Sequence, residues 1–245
     1  MADILIPTVA QGLMWALMAL GVYITFRVLD IADLSVEGSF PLGAAVAATA
    51  LVSGYGIVVA FVLAAVAGAL AGVVTGILTT KLKIPPLLAG ILTMIGLYSI
   101  NLHVMGKANV ALLRVDTVFS YAGALGLSSD MAMMIVGLAG VLLVGVVLYW
   151  FFGTELGTAV RATGCNSQMA RAQGVNTNSM IVLGLLISNA LVALSGALVC
   201  QANGFADVGM GTGTIVIGLA SVIIGEVLFS PKTFKTSLAA VILGS

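Results

Sequence analysis

From Tyr55 to Thr80 the chain carries no charged side chain, and the same holds from Met131 to Phe152. Each stretch is long enough, as a helix rising about 1.5 Å per residue, to cross the roughly 30 Å hydrocarbon core of a bilayer. In lipid every backbone N–H and C=O must be satisfied internally, so uncharged runs of this length restrict the fold to membrane helices. Composition agrees. Only 7% of residues are charged and 61% are hydrophobic, against about 25% charged in a soluble domain. Nine basic and nine acidic residues leave no net charge, so nothing points to nucleic acid. The expected fold class is an all-α, multi-span integral membrane protein.

Further spans are expected at about Ile4–Phe26, Leu87–His103, Ser179–Cys200 and Thr214–Phe229. The start lacks a basic n-region, its first charge being Asp3, so it reads as a retained span. A polar break, "RVLDIADLSVEG", follows the first span. The apolar segment after it is short, which suggests a broken or re-entrant second helix. A polar stretch over about 106–130 leaves room for a small interfacial helix. The last apolar segment, from Thr236 to Ser245, is too short to cross, and the natural chain is expected to continue. Residues 1–245 read as a single transmembrane domain.

Cytoplasmic loops collect Lys and Arg. Placing Lys81 and Lys83 inside puts 106–130 outside, and 153–176 inside with Arg161 and Arg171. Lys232 and Lys235 then also fall inside, and Lys107 and Arg114 outside. Extended backwards, the alternation puts the N-terminus outside.

Gly68, Gly72 and Gly76 recur every fourth residue and share one helix face, continued by Ala60 and Ala64. Such a face admits a second helix backbone, in this subunit or a partner, and should tolerate Ala better than Leu. "GMGTGT" at Gly209–Thr214 has no Lys for a phosphate loop and reads as a flexible external loop. Candidate solute-path residues are Asp33, Ser35 and Glu37 in the break, Asn101 at the end of a span, and Asn189 within one. A helix-to-helix hydrogen bond is the favoured role for Asn189, and a cytoplasmic interfacial loop the favoured place for the acidic cluster. Two distant cysteines and His103 offer no metal-ligand spacing. Cys165 and Cys200 fall at opposite ends of one span, so they should not pair, and Cys200, if either, should be the one reachable from outside.

"GTELGTAVRATGCNSQMARAQGVN", Gly153–Asn176, interrupts the hydrocarbon with clustered polar groups. Thr154 suits the start of a short helix reaching Arg161. Asn166 suits the N-cap of a second over Ser167–Gln173, and Gly174 its C-cap, with Gly164 allowing a tight turn between. The product is a small cytoplasmic helical hairpin that must rest on something. A plain connector would satisfy the same residues.

This stretch resembles the cytoplasmic coupling loop of permeases in bacterial ATP-binding cassette (ABC) importers for branched-chain amino acids and related solutes. The matching residues are Gly157, Arg161, Ala162, Asn166, Ala170, Arg171 and Gly174. "ADLSVEGSF" and "KIPPLLAGILTMIGLYSINLHVMGKANV" resemble a narrower branch associated with tryptophan, tyrosine or other amino acids, although His103 stands where that branch usually has Arg. The resemblance implies a multi-pass permease of the bacterial inner membrane that is not itself an enzyme. It binds no cofactor, ATP and Mg being held by cytoplasmic ABC ATPase subunits that dock on the hairpin. It further implies a second permease copy or homologue and an extracytoplasmic solute-binding protein. An ion-coupled carrier would call for related halves, and a membrane enzyme for converging reactive groups. Neither feature is evident, and a membrane scaffold remains the other alternative.

Overall fold

A computed structural model of the chain describes residues 2–113, 115–124, 129–230 and 233–245. Arg114 and Lys232, two residues used above to orient the chain, lie outside that set. The elements in order are α1 (Ala2–Tyr23), a π-helical turn (Ile24–Val28), α2 (Val36–Val52), α3 (Ile57–Thr80), α4 (Pro86–Met105), β1 (Asn109–Ala111), α5 (Val118–Ala124), α6 (Ser129–Gly153), α7 (Glu155–Cys165), α8 (Ser167–Ala172), α9 (Thr177–Asn203), β2 (Phe205–Asp207), α10 (Thr214–Phe229) and α11 (Phe234–Gly244). Among the described residues five helices are long and apolar enough to cross a membrane: Ile6–Val28, Ile57–Thr80, Pro86–Met105, Asp130–Gly153 and Thr177–Asn203. The expected span at Thr214–Phe229 is one arm of a pair, α10 and α11, that bends by 120°.

The spans differ in how much of their surface the protein covers. In α1 and α9, 67% and 61% of the apolar window is buried, against 28% in α3, α4 and α6. So α1 and α9 are central, and the others present one face inward and one outward. The outward faces carry Val58, Val62, Val66, Leu70, Val146 and Trp150, all at least half exposed, as suits lipid.

Small residues set the close crossings around α9. A Cβ on Gly68 would lie 2.4 Å from the Asn189 carbonyl oxygen, and one on Gly72 2.3 Å from that of Leu185. Gly76 faces the Cα of Val182, while Ala60 and Ala64 are fully buried. The glycine face therefore meets α9 of the same chain, which decides between the two partners left open above. Even the single methyl of alanine is obstructed at Gly68 and Gly72, because the nearest atoms there include backbone. A second, reciprocal crossing joins α2 to α9, where Gly43 abuts the Ala193 carbonyl and Gly196 that of Phe40.

These contacts fix direction. Ser188 Oγ donates to the Gly21 carbonyl and Ser195 Oγ to that of Met14, so α1 runs antiparallel to α9. The antiparallel pair β1–β2 (Asn109 opposite Asp207, Val110 opposite Ala206) ties the α4–α5 and α9–α10 connections together at one end of the bundle. That end also receives the start of α1. Arg27, Arg161 and Lys235 gather at the other end, where Lys235 lies over Tyr149 and Arg161 over Phe234. The alternation expected from charge is the one the helices follow. Both cysteines are free. Cys200 is fully buried, its thiol donating to the Ala197 carbonyl at 3.3 Å. Its burial shields it from labelling at that end of the bundle.

Candidate functional site

The polar stretch folds as α7 and α8, and its caps arise from local chemistry. Thr154 Oγ1 accepts from the Gly157 N–H at 3.3 Å, closing the first turn of α7. Asn166 ends α7 through its own N–H to the Ala162 carbonyl, and starts α8 by accepting from the Met169 N–H at 2.9 Å. Gly174, with φ +84°, terminates α8 in the left-handed region that favours glycine. Gly164 departs from expectation. It lies inside α7, not in a turn, and a Cβ there would sit 1.9 Å from the Val28 carbonyl oxygen. It lets the hairpin rest on the π-helical turn that ends α1. Gly157 does the same against the Phe151 carbonyl.

Val160, Thr163 and Ala170 are the buried feet of this hairpin. Its other faces are open. Leu156 is 54% and Met169 63% exposed, and Arg161 and Ala162 of α7 are exposed as well. The two arginines differ in role. Arg171 donates from Nη2 to Thr177 Oγ1 at 2.7 Å, bracing the hairpin exit against the start of α9. The Arg161 guanidinium lies 4.9 Å from the centre of the Phe234 ring. It borders an open cavity of about 710 Å³ with Tyr23, Arg27, Asp30, Cys165 and Phe234. Arg27 Nε meets Glu226 Oε1 at 2.7 Å. With the Arg27 side chain 64% exposed, that pair adds little to stability.

The acidic break is divided: Asp30 is exposed at the hairpin end, as an interfacial loop requires, whereas Asp33 and Ser35 lie deep in the bundle. Asp33 is 1% exposed and accepts from Asn189 Nδ2 at 2.9 Å and from the Ser35 N–H at 2.8 Å. Asn189 Oδ1 accepts from Ser35 Oγ at 3.1 Å and Ser39 Oγ at 2.5 Å, while Nδ2 also donates to the Leu185 carbonyl. Asn189 is close to the midpoint of α9, so the start of α2 is held at mid-bundle. A carboxylate there is tolerable because several donors surround it. This network is closed. Asp33, Ser35 and Asn189 act as a lock that fixes a helix start, the helix-to-helix role expected of Asn189. Sequence reading missed Ser39, although it stands one turn from Ser35 on the same face.

Glu37 and Asn101 are arranged differently. They border a cavity of about 410 Å³ with Pro41, Met94, Tyr98 and Thr212. Glu37 Oε1 accepts from the Gly213 N–H, at the start of α10, at 3.1 Å. Asn101 donates from Nδ2 to the Gly38 carbonyl at 3.2 Å, and its Oδ1 is a buried acceptor with no partner among the described residues. The loop Gly209–Thr214, expected to be free and flexible, is packed here. A Cβ on Gly211 would lie 2.0 Å from the Glu37 carbonyl oxygen. Its glycines serve close approach as well as turning.

Comparison with known proteins agrees with this architecture. The chain is 44% identical over 241 residues to the tyrosine transport system permease protein of Clostridioides difficile (strain R20291), covering 98% of this chain and 79% of that one. It is 36% identical over 227 residues to an uncharacterized protein of Rickettsia prowazekii (strain Madrid E), covering 93% and 78% respectively. No solved structure matches the chain. Residues 4–245 match the family described as the permease component of branched-chain amino acid transport systems, and the chain belongs to that family.

Proposed function

We propose that this chain is the membrane subunit of an ABC importer for an amino acid or a similarly small solute. An aromatic amino acid is favoured, on the 44% identity to a tyrosine transport system permease. The observation that carries the coupling reading is the hairpin α7–α8. It is anchored by buried feet, yet carries Leu156 and Met169 more than half exposed, and Arg161 exposed on the same hairpin. A connector whose only task is to join two spans has no need of large outward apolar side chains on an otherwise polar hairpin. Together they form a docking knob for a cytoplasmic ATPase subunit, with charge-assisted hydrogen bonds from Arg161 to carboxylates of that partner. ATP and Mg belong to the ATPase. Closure of two ATPase subunits draws two hairpins together, one from this chain and one from a second permease copy or homologue. Because Gly164 and Gly157 seat the hairpin directly on backbone of α1 and α6, its movement passes to the central helix α1 and to α6 without a soft linker. Solute delivered by an external binding protein then crosses past the Glu37–Asn101 cavity. The protein resides in the bacterial inner membrane.

The test is Met169→Glu, alongside Arg161→Glu, in a reconstituted transporter. Met169 is free of close packing, so its replacement leaves the bundle intact. Copurified ATPase, or its stimulation by solute, should fall at least about tenfold while the permease melts as before. Normal ATPase recovery, hydrolysis and uptake in both variants would refute the docking role.

A further inference from the structure

The cavity between α2, α4 and the loop before α10 has a one-sided chemistry. Among the described residues its only charged border residue is Glu37, and no Lys, Arg or His lines it. Asn101 is fully buried beside it, with Nδ2 committed to the Gly38 carbonyl and Oδ1 without a partner among the described residues. A buried carbonyl oxygen left unpaired is unfavourable, so the site is suited to receive a donor. One Glu37 oxygen accepts from the N–H of Gly213, the residue just before α10, which places a carboxylate at the positive end of that helix. An anion arriving here therefore finds that end already occupied by a carboxylate. The remaining border is apolar and aromatic: Pro41, Met94, Ile95 and Tyr98, with the Thr212 hydroxyl. At about 410 Å³ it lies within the size range of small-ligand sites, roughly 300–1,000 Å³.

We infer that this cavity is a way-station for the solute and recognises it by a primary ammonium group, held between Glu37 and Asn101 Oδ1, with an apolar or aromatic body against Met94 and Tyr98. The inference rests on the importer reading and narrows it. The permease selects for the amine and leaves the carboxylate unread, so an amine without a carboxylate binds and a carboxylate with a blocked amine does not.

The test uses the full permease in nanodiscs and saturation-transfer NMR with three probes: L-tyrosine, tyramine and N-acetyl-L-tyrosine. L-Tyrosine and tyramine should both contact the protein, and N-acetyl-L-tyrosine should bind at least about tenfold more weakly. Glu37→Gln keeps an oxygen for the Gly213 N–H but removes the charge. It should weaken tyramine about tenfold without lowering the melting temperature, and Asn101→Ala should weaken it as well. Equal binding of tyramine and N-acetyl-L-tyrosine in the unmodified protein would overturn the inference, whatever the variants do. So would a Glu37→Gln affinity within about twofold of the parent, or a cavity that holds only ordered water. Failure here with ATPase docking intact would remove the way-station alone. Loss of docking with amine binding intact would remove the coupling reading instead.

Discussion

Replacing Gly72 by alanine probes the contact that organises the bundle. An ideal Cβ at Gly72 lies 2.3 Å from the Leu185 carbonyl oxygen, 2.7 Å from its carbon and 2.8 Å from the Leu186 Cα. All three are backbone atoms of α9, so no rotamer change relieves the overlap. Ordinary contact begins at about 3.4 Å, so α3 and α9 must separate by about 1.1 Å (3.4 minus 2.3) or bend locally. Overpacking of this kind costs about 1–3 kcal/mol. The upper half of that range applies, because both sides are helical backbone. Alanine also gains about 0.5–1 kcal/mol over glycine in a helix interior. The net expectation for Gly72→Ala is a loss of about 1–2 kcal/mol. Gly145 in α6 is the matched control. Nothing lies within 4 Å of a Cβ there, so Gly145→Ala should keep the propensity gain and be neutral or slightly stabilising. Gly76 should fall between, since its first obstacle, the Val182 Cα, is at 2.9 Å. Thermal unfolding in detergent, followed by fluorescence-detected size exclusion, should rank the variants Gly145→Ala, Gly76→Ala, Gly72→Ala from most to least stable. About 3–6 °C should separate Gly72→Ala from the parent. A Gly72→Ala protein that melts with or above the Gly145→Ala protein would refute the argument.

Two further outcomes follow from burial and pairing. A membrane-impermeant thiol reagent should label neither cysteine in intact cells. In inverted vesicles it should label Cys165, which is exposed, while Cys200, packed against Ala197 and Ala44, reacts only after denaturation. Asn189→Ala should destabilise by about 2–3 kcal/mol, because it strips Asp33, Ser35 and Ser39 of their shared partner. Asn189→Asp should be worse, placing two carboxylates together. The exchange Asp33→Asn with Asn189→Asp should recover part of the melting temperature lost in Asn189→Asp, as it restores an amide–carboxylate pair.

The features legible in sequence were those set by local chemistry. Uncharged runs marked the long spans, and the fourfold glycine spacing marked a packing face. Thr154, Asn166 and Gly174 read correctly as caps because a cap is satisfied within three or four residues. Gly164 misled because a glycine between polar residues suggests a turn. Its actual reason, the Val28 carbonyl, comes from the other end of the chain. The acidic break misled for the same cause. Asp33 looks solvated until Asn189, 156 residues later, is known to lie against it. Gly43, Gly196 and Gly211 carry no periodic signal, and only the crossing of α2 with α9 and with the loop before α10 explains them. The Glu37–Asn101 cavity was half visible, since both residues stood out as polar groups near apolar segments. Their separation from the closed Asp33–Asn189 lock needed the tertiary contacts.

The central claim is that the hairpin α7–α8 is the docking knob for an ATPase. Cys165 offers a direct test, being an exposed thiol at the end of α7 while Cys200 is shielded. A benzophenone maleimide attached to Cys165 in inverted vesicles, then photolysed, should capture the ATPase subunit as the main protein adduct. Met169→Glu should reduce that yield about tenfold. A transporter that imports solute normally while Cys165 captures lipid or water alone would contradict the account.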